Sequence, residues 1–440
     1  MQIIKGNLEK LDNELSEMIG DKGAQVPALG VIVFKDGEEV YSKFSGRRHI
    51  DKDLPINENT RFRAASVSKM FTIFTIMQLV DEGKINLDTD VSEYLGFSLR
   101  NPNFPNVPLT VRMLASHTSS LRDGKTYSLP PNFSIEEFFV PNGAGYEEGA
   151  HFSTKAERIG TYFKYSNINY NILGTVIERV TGERFDLYQR RHILSQLDTK
   201  ADYVVSNLNK AEFKNLGAIY QKNINGVWNE DFNWTAKVDD YNEQPSRDTL
   251  PIRSTDDESV IEYYNLGDYK IGTNATIFSP AGGLRISFEE LSHCLEMLLN
   301  GGIYNNRQII SKKRLDEMMK PQWSFNGENG DPYGVMFNYG LGMYKIDGSS
   351  KARLCRDNEI DFIGHSGEAY GLISGLYFIP NTKSGVIFMI NGTAVEPDIN
   401  PKSRGKFSNS YIWEENIMNP ICKYIFATEE KLKTTLTKVE

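Results

Sequence analysis

The chain has 440 residues, 40% of them hydrophobic and 24% charged, with 49 Lys and Arg against 58 Asp and Glu for a net charge of −9. That length buries a large core and allows two or three domains, and the acidic balance argues against a nucleic-acid-coating protein, which carries a basic patch or stripe. Three cysteines (Cys294, Cys355 and Cys422), far apart in sequence and without C-x-x-C spacing, exclude a disulfide framework and, with six scattered histidines, a readable zinc site.

The first twenty residues show no basic segment followed by an apolar one, so no signal peptide is visible. No run approaches the roughly 18 apolar residues of a membrane span. The expectation is a soluble cytoplasmic protein; a trimmed exported form would look the same. Leu8, Leu11, Leu15, Met18 and Ile19 recur at helical spacing and predict an opening amphipathic helix. Two β-rich runs then flank Asp36-Gly37, a hairpin signal. From Met70 to Val80 the chain is apolar nearly all round, with Gly83 as a stop, which predicts a buried helix.

LTVRMLASHTSSL predicts a short helix capped by Thr110, and residues 123–160 a long loop. INYNILGTVIERVTG predicts a helix ending at Gly182, and FDLYQRRHILSQL another. Residues 200–275 mix polar, acidic and aromatic residues without a sustained period, as an insertion or lid would, or an ordinary set of surface loops. Then come a Gly-rich turn and an amphipathic helix (SPAGGLRISFEELSHCLEMLLNGG), a β-meander (FIGHSG, YGLISGLYFIP, SGVIFMING) and a last helix at roughly 409–427. Strands at both ends with helices between them predict an α+β fold. Residues 1–60 and 271–427 form an antiparallel sheet domain flanked by terminal helices, an α/β/α sandwich. Residues 61–199 form a mostly helical domain, 200–270 the insertion, and 428–440 a fraying tail.

Three short motifs carry the chemistry. Ser66-Val67-Ser68-Lys69 is an S-x-x-K at the start of the buried helix; a second match, Ser403 to Lys406, has no apolar helix after it. At a helix N-terminus Ser66 meets free backbone N–H groups, and Lys69 lies one turn on, on the same face. A lysine drawn into an apolar wall loses solvation and becomes a base. The alternative is that Ser66 caps the helix while Lys69 reaches out to water. Tyr165-Ser166-Asn167 is a Y-x-N before a helix, where a phenol can relay a proton and Asn167 can hold the lysine; equally, Tyr165 could pack and Asn167 cap. His365-Ser366-Gly367 lies between β-runs, where glycine lets a substrate backbone approach.

In this order and in these elements, S-x-x-K, Y-x-N and H-S-G resemble the serine β-lactamase and penicillin-binding-protein superfamily. The pattern is most similar to class C β-lactamases and the related esterases and D-aminopeptidase-type hydrolases. RFRAASVSKMFT is similar to the family's nucleophile segment. LTVRMLASHTSSL resembles the segment that follows it, with Ser120 where glycine is usual. YFKYSNINYNILGTVIERVTGERF, SPAGGLRIS and GHSGEAYGLISGLYFIPNTKSGVIFMING extend the likeness over about 25–395, apart from most of 200–275. The resemblance implies a β-lactamase/transpeptidase-like fold with Ser66 as nucleophile. Lys69 and Tyr165 then share acid–base work, and Asn167, His365, Ser366 and Gly367 bind substrate. The N–H groups of Ser66 and Glu368 form the oxyanion hole. It implies no metal and no organic cofactor. The partner is a small-molecule or short-peptide substrate rather than nucleic acid, and oligomeric state is not readable.

Class C β-lactamases carry a charged lysine where this chain has His365, which is mostly neutral at pH 7. Glu368 is expected to add negative charge beside the oxyanion hole. Both departures favour an ester, a small amide or a D-amino-acid peptide as substrate. The alternative is a β-lactamase, or a penicillin-binding or sensor-type protein that acylates without efficient turnover.

Overall fold

The computed structural model describes residues 5–253 and 261–427; the predicted tail lies outside the described residues. Helix α1 (Lys5–Ser16) stops before Met18 and Ile19, because Ile19 instead bridges to Val26. Strands β1 (Ala28–Lys35) and β2 (Glu38–His49) form the hairpin, with Asp36 at φ 54° and Gly37 at φ 93°, the positive values a tight hairpin turn requires. After the short β3 (Leu54–Pro55) comes α2 (Ser68–Asp81), buried on nearly every side. Helix α3 (Asn167–Thr181) ends at Gly182, φ 71°, a left-handed cap. FDLYQRRHILSQL starts as a short helix at Phe185–Gln189 and continues as a π turn at Arg190–Leu194.

The sheet is completed late in the chain by β4 (Trp323–Ser324), β5 (Asn338–Tyr339), β6 (Tyr344–Ile346), β7 (Phe362–Ala369), β8 (Leu372–Ile379) and β9 (Ser384–Ile390). Its order is β4-β5-β6-β7-β8-β9-β1-β2-β3, antiparallel throughout. The two termini meet at its centre, where β1 pairs with β9. Both faces are covered, so the central strands read as continuous apolar runs rather than alternating ones.

One face packs Val31, Val386 and Phe388 against Leu11 and Leu15 of α1 and Trp413 and Ile417 of α5 (Ile412–Ile421). The other packs Ile32, Leu376 and Ile387 against α4 (Phe288–Leu299), in one core shared with α2 and α3. Phe288 fills the space above Gly30, where an added Cβ would lie 2.3 Å from the ring. The result is an α/β/α sandwich continuous with a helical region, an α+β fold.

Two features were not foreseen. Cys355 and Cys422 form a disulfide across 67 residues of sequence, with Cα atoms 5.7 Å apart, while Cys294 is free and buried. The cysteines show no short spacing because the bond joins the segment before β7 to the turn that follows α5. The described part of the 200–270 stretch is built from strands of two to five residues, a five-residue helix (Lys210–Lys214) and single 3₁₀ turns, all too short for a period to register. Ile219–Gln221 pairs in parallel with Gly392–Thr393 and antiparallel with Thr235–Val238, and Thr249–Arg253 pairs with Ile261–Asn265. A buried bidentate ion pair anchors this stretch: Arg285 donates to Asp239 at 3.0 and 2.9 Å. Among the described residues no helix is long and apolar enough to cross a membrane.

Candidate active site

Ser66 lies in a 3₁₀ turn (Ala65–Val67) that leads into α2, and its side chain caps nothing. The preceding Ala65 has φ 48°, a left-handed conformation that costs a non-glycine residue about 1–2 kcal/mol. The kink is held from outside. Ser374 of β8 donates to Ala64 O at 2.8 Å, Ala64 N donates to Leu284 O at 2.8 Å, and Leu284 N donates to Ser68 Oγ at 3.2 Å. The Gly-rich turn at 279–284 therefore clamps the start of the helix.

Lys69 is fully buried, and its Nζ has three neighbours: Asn167 Oδ1 at 2.8 Å, Ala281 O at 2.9 Å and Ser66 Oγ at 3.0 Å. Two of these are acceptors only. A neutral amine has two N–H bonds and one lone pair. If the two N–H bonds go to Asn167 and Ala281, the lone pair points at the Ser66 hydroxyl. Burial lowers the Lys69 pKa to about 7, against a smaller opposing pull from Asp123, so that neutral form is well populated at pH 7.

Asp123 was missed in the sequence. It accepts from Asn167 Nδ2 at 2.9 Å, from Ser166 Oγ at 2.9 Å and from Ile168 N at 2.9 Å. It thus caps the first turn of α3 and fixes the Asn167 amide, leaving Oδ1 no direction but Lys69. A lone aspartate in a predicted loop carries no signal; only the fold brings it beneath the Y-x-N turn. The Tyr165 ring lies 4.8 Å from Lys69 Nζ. Burial raises its pKa well above the ordinary value, and a hydrogen bond with Ser66 acts the other way, so it is a phenol at neutral pH.

Strand β7 forms the opposite wall. A Cβ on Gly367 would sit 2.8 Å from Ser66 N and 2.8 Å from Ala64 O, so only glycine lets the strand reach the Ser66 turn. Ser66, Tyr165, Asn167, Asp123, Ser366 and Glu368 all line one open cavity of about 1890 Å³. His365 does not line it. The residue is fully buried, its Nε2 lies 3.1 Å from the Tyr339 hydroxyl, and its Nδ1 bonds the Ser366 carbonyl. The imidazole shares the face of Gly367 but is sealed from the cavity by the Tyr165 and Tyr339 rings packed over it. Burial first and the Lys69 charge second lower its pKa to about 3, so it is neutral.

The expected charge on Glu368 is also corrected. Burial, helped by the Asp398 charge, raises its pKa to about 8, and the carboxyl is largely protonated at pH 7. The other S-x-x-K is structural: Ser403 is buried, and its hydroxyl donates to Pro397 O and Asn400 O.

The sequence profile of the family described as Beta-lactamase matches residues 15–405. Protein flp of Staphylococcus aureus (strain MRSA252) is 26% identical over 212 residues, which are 47% of this chain and 41% of that protein. Penicillin-binding protein 4 of Amycolatopsis lactamdurans is 28% identical over 179 residues, 39% of this chain and 43% of that protein. The chain thus spans less than half the length of these curated relatives. The octameric penicillin-binding protein homologue from Pyrococcus abyssi superposes with a TM-score of 0.61 at 22% identity, covering 89% of this chain and 74% of that one. D-amino acid amidase from Ochrobactrum anthropi SV3 superposes at 0.60 and 19%, covering 95% and 100%. With the profile spanning most of its length, the chain belongs to the beta-lactamase family, within the serine β-lactamase and penicillin-binding-protein superfamily.

Proposed function

We propose that the protein is a serine hydrolase that acylates Ser66 and releases the acyl group to water, acting on an ester, a small amide or a D-amino-acid peptide. The observation that carries this reading is the Lys69 amine, 3.0 Å from Ser66 Oγ with its other two neighbours restricted to accepting. Neutral Lys69 takes the Ser66 proton as Oγ bonds the substrate carbonyl carbon. The carbonyl oxygen becomes an oxyanion facing the N–H groups of Ser66 and Glu368. Tyr165 passes the proton to the leaving oxygen or nitrogen as its bond to carbon breaks. Water then adds to the acyl-enzyme, gives a proton back along the same path, and frees the acid and Ser66.

The strand-side wall supports this substrate class. His365 is neutral and sealed from the cavity, so it offers no cation where class C β-lactamases carry a lysine; Asp398 lines the cavity on that side, and the cavity's cations, Arg63, Lys125 and Arg404 among them, come from other segments. A neutral or amine-bearing carbonyl compound suits that wall better than a carboxylate-bearing β-lactam. The hairpin of Thr249–Arg253 and Ile261–Asn265 borders the cavity through Leu250, Ile252 and Tyr264, and in this reading it is the lid that limits the acyl group.

The test has two parts. A fluorophosphonate probe should add one equivalent to wild type and none to Ser66→Ala. Short-chain p-nitrophenyl esters, nitrocefin and D-amino-acid amides should then be screened for turnover. Retention of more than about a tenth of the activity in Ser66→Ala removes Ser66 as nucleophile. A stable nitrocefin adduct without turnover of any substrate would assign the penicillin-capture role instead.

A further inference from the structure

Beneath the Tyr165 ring lies a buried file of groups that no step above uses: His117, Tyr339 and His365, each 0% exposed. His117 packs against Tyr165 with ring centroids 4.3 Å apart. We propose that Tyr339 is a positioning residue whose single hydroxyl fixes opposite tautomers on His117 and His365, tying the Tyr165-Ser166-Asn167 turn to the His365-Ser366-Gly367 strand.

The direction of every bond follows from the two ends. At one end Ser166 N, which only donates, lies 3.1 Å from His117 Nδ1. Asn169 Nδ2 lies 3.3 Å from the same atom, and Asn169 Oδ1 is already taken by the Ser119 hydroxyl at 2.6 Å. His117 Nδ1 is therefore the bare nitrogen, and its proton is on Nε2. That Nε2 lies 3.2 Å from the Tyr339 oxygen and donates to it. At the other end the Ser366 carbonyl only accepts, so His365 Nδ1 carries the proton. His365 Nε2 is then bare, 3.1 Å from the Tyr339 oxygen, and needs the Tyr339 proton.

The Tyr170 hydroxyl is also within hydrogen-bond reach of Tyr339, but it has other partners: it donates to Ala115 O at 2.8 Å and accepts from Gly342 N–H, whereas a bare His365 Nε2 has only the Tyr339 proton to accept. The file thus runs one way, Ser166 N–H to His117 to Tyr339 to His365 to Ser366 C=O, with each donor and acceptor used.

Protonating His117 would turn an N–H against the Ser166 N–H, and protonating His365 would remove the acceptor of the Tyr339 proton and force that hydroxyl to turn. The surroundings oppose it as well. Lys69, Tyr165, Tyr170, Tyr339 and His365 face His117, and Lys69, Tyr165, Tyr339 and Tyr344 face His365. None of these is an anion at neutral pH. Two histidines at the wall of a hydrolase cleft are thereby held out of its acid–base chemistry. They act as a spacer of fixed polarity, and the acid limb of the rate profile belongs to Lys69.

The test is ¹⁵N-histidine NMR on the whole chain between pH 5 and 8, with His117→Asn and His365→Gln to assign the two rings. His117 should show the neutral Nε2–H pattern and His365 the neutral Nδ1–H pattern across the range. An imidazolium at either site, or the same tautomer at both, overturns the proposal. In Tyr339→Phe, which keeps the ring, His365 should change tautomer or titrate, and a new ionisation should enter the acid limb. kcat should fall about tenfold with KM within about twofold. Unchanged ring patterns and an unchanged pH profile in that variant also overturn it. Only the kinetic arm rests on the acyl-enzyme reading. Wrong tautomers with normal Ser66 labelling defeat the relay alone, whereas correct tautomers without any labelling defeat the acyl-enzyme reading alone.

Discussion

The two walls of the cavity are subject to the same force and respond in opposite senses. On the nucleophile side, burial drives a cation toward neutrality: Lys69 falls to about 7. On the strand side, burial drives acids toward neutrality: Glu368 rises to about 8 and Glu414 to about 7. Near pH 7 the cleft sheds charge on both walls at once. As pH rises, the nucleophile side gains its base while the strand side gains negative charge. In the proposed reaction, activation of Ser66 and rejection of anionic substrates are thereby coupled through one variable, pH.

The largest effects should come from breaking the nucleophile side. Lys69→Met and Tyr165→Phe should each lower kcat/KM by about 10²–10⁴-fold. Because both serve one proton path, the double variant should fall little further, and clean multiplicativity would contradict a shared path. Asp123→Asn should lower kcat by up to about 100-fold, because the Asn167 amide loses its orientation. It also removes the charge that raises the Lys69 pKa, so the acid limb of the rate profile should move to lower pH. A limb that stays in place would show that Asp123 acts only as a helix cap.

Wild-type kcat/KM for a neutral ester should rise with pH through about 7 as Lys69 loses its proton. The strand side is sharpened by Glu368→Gln. In wild type the ratio of activities on an anionic and a neutral substrate should drop about fivefold as Glu368 ionises above about pH 8, whereas the variant should stay flat. A matching drop in both proteins would clear Glu368 of any role in selection.

The smallest effect is on stability. An acid whose pKa is raised by folding stabilises the native state below its unfolded value, and that contribution is lost as pH rises through the folded value. Between about pH 4.5 and 8 the native chain binds the extra proton at Glu368, so stability should decline there. Glu368→Gln should match wild type in Tm at pH 5 and exceed it at pH 9.

The sequence disclosed what is local and periodic. Apolar periods marked α2, α3 and α4, Asp36-Gly37 marked the hairpin, and the S-x-x-K, Y-x-N and H-S-G triplets resembled the family that the profile match establishes. It concealed what depends on distant contact. Asp123, the Ala281 carbonyl and Tyr339 each act on a residue more than 20 positions away, with no spacing to betray them. The sealing of His365 was hidden because the Tyr165 and Tyr339 rings packed over it come from distant segments. The charge of Glu368 was hidden because sequence gives the residue and only packing gives the desolvation.

The disulfide between Cys355 and Cys422 makes a ring of chain that contains β7, β8, β9 and α5. The whole strand-side wall of the cleft, with Ser366, Glu368 and Glu414, hangs on that ring, while Ser66, Lys69 and Tyr165 lie outside it. In the unfolded chain the ring persists as a closed loop, which by chain-entropy reasoning removes about 4 kcal/mol of freedom for a loop of this length. A reducing environment would therefore weaken the fold as a whole, and the Ser66 turn would share the loss, because Ser374 of β8, inside the ring, holds the Ala64 carbonyl.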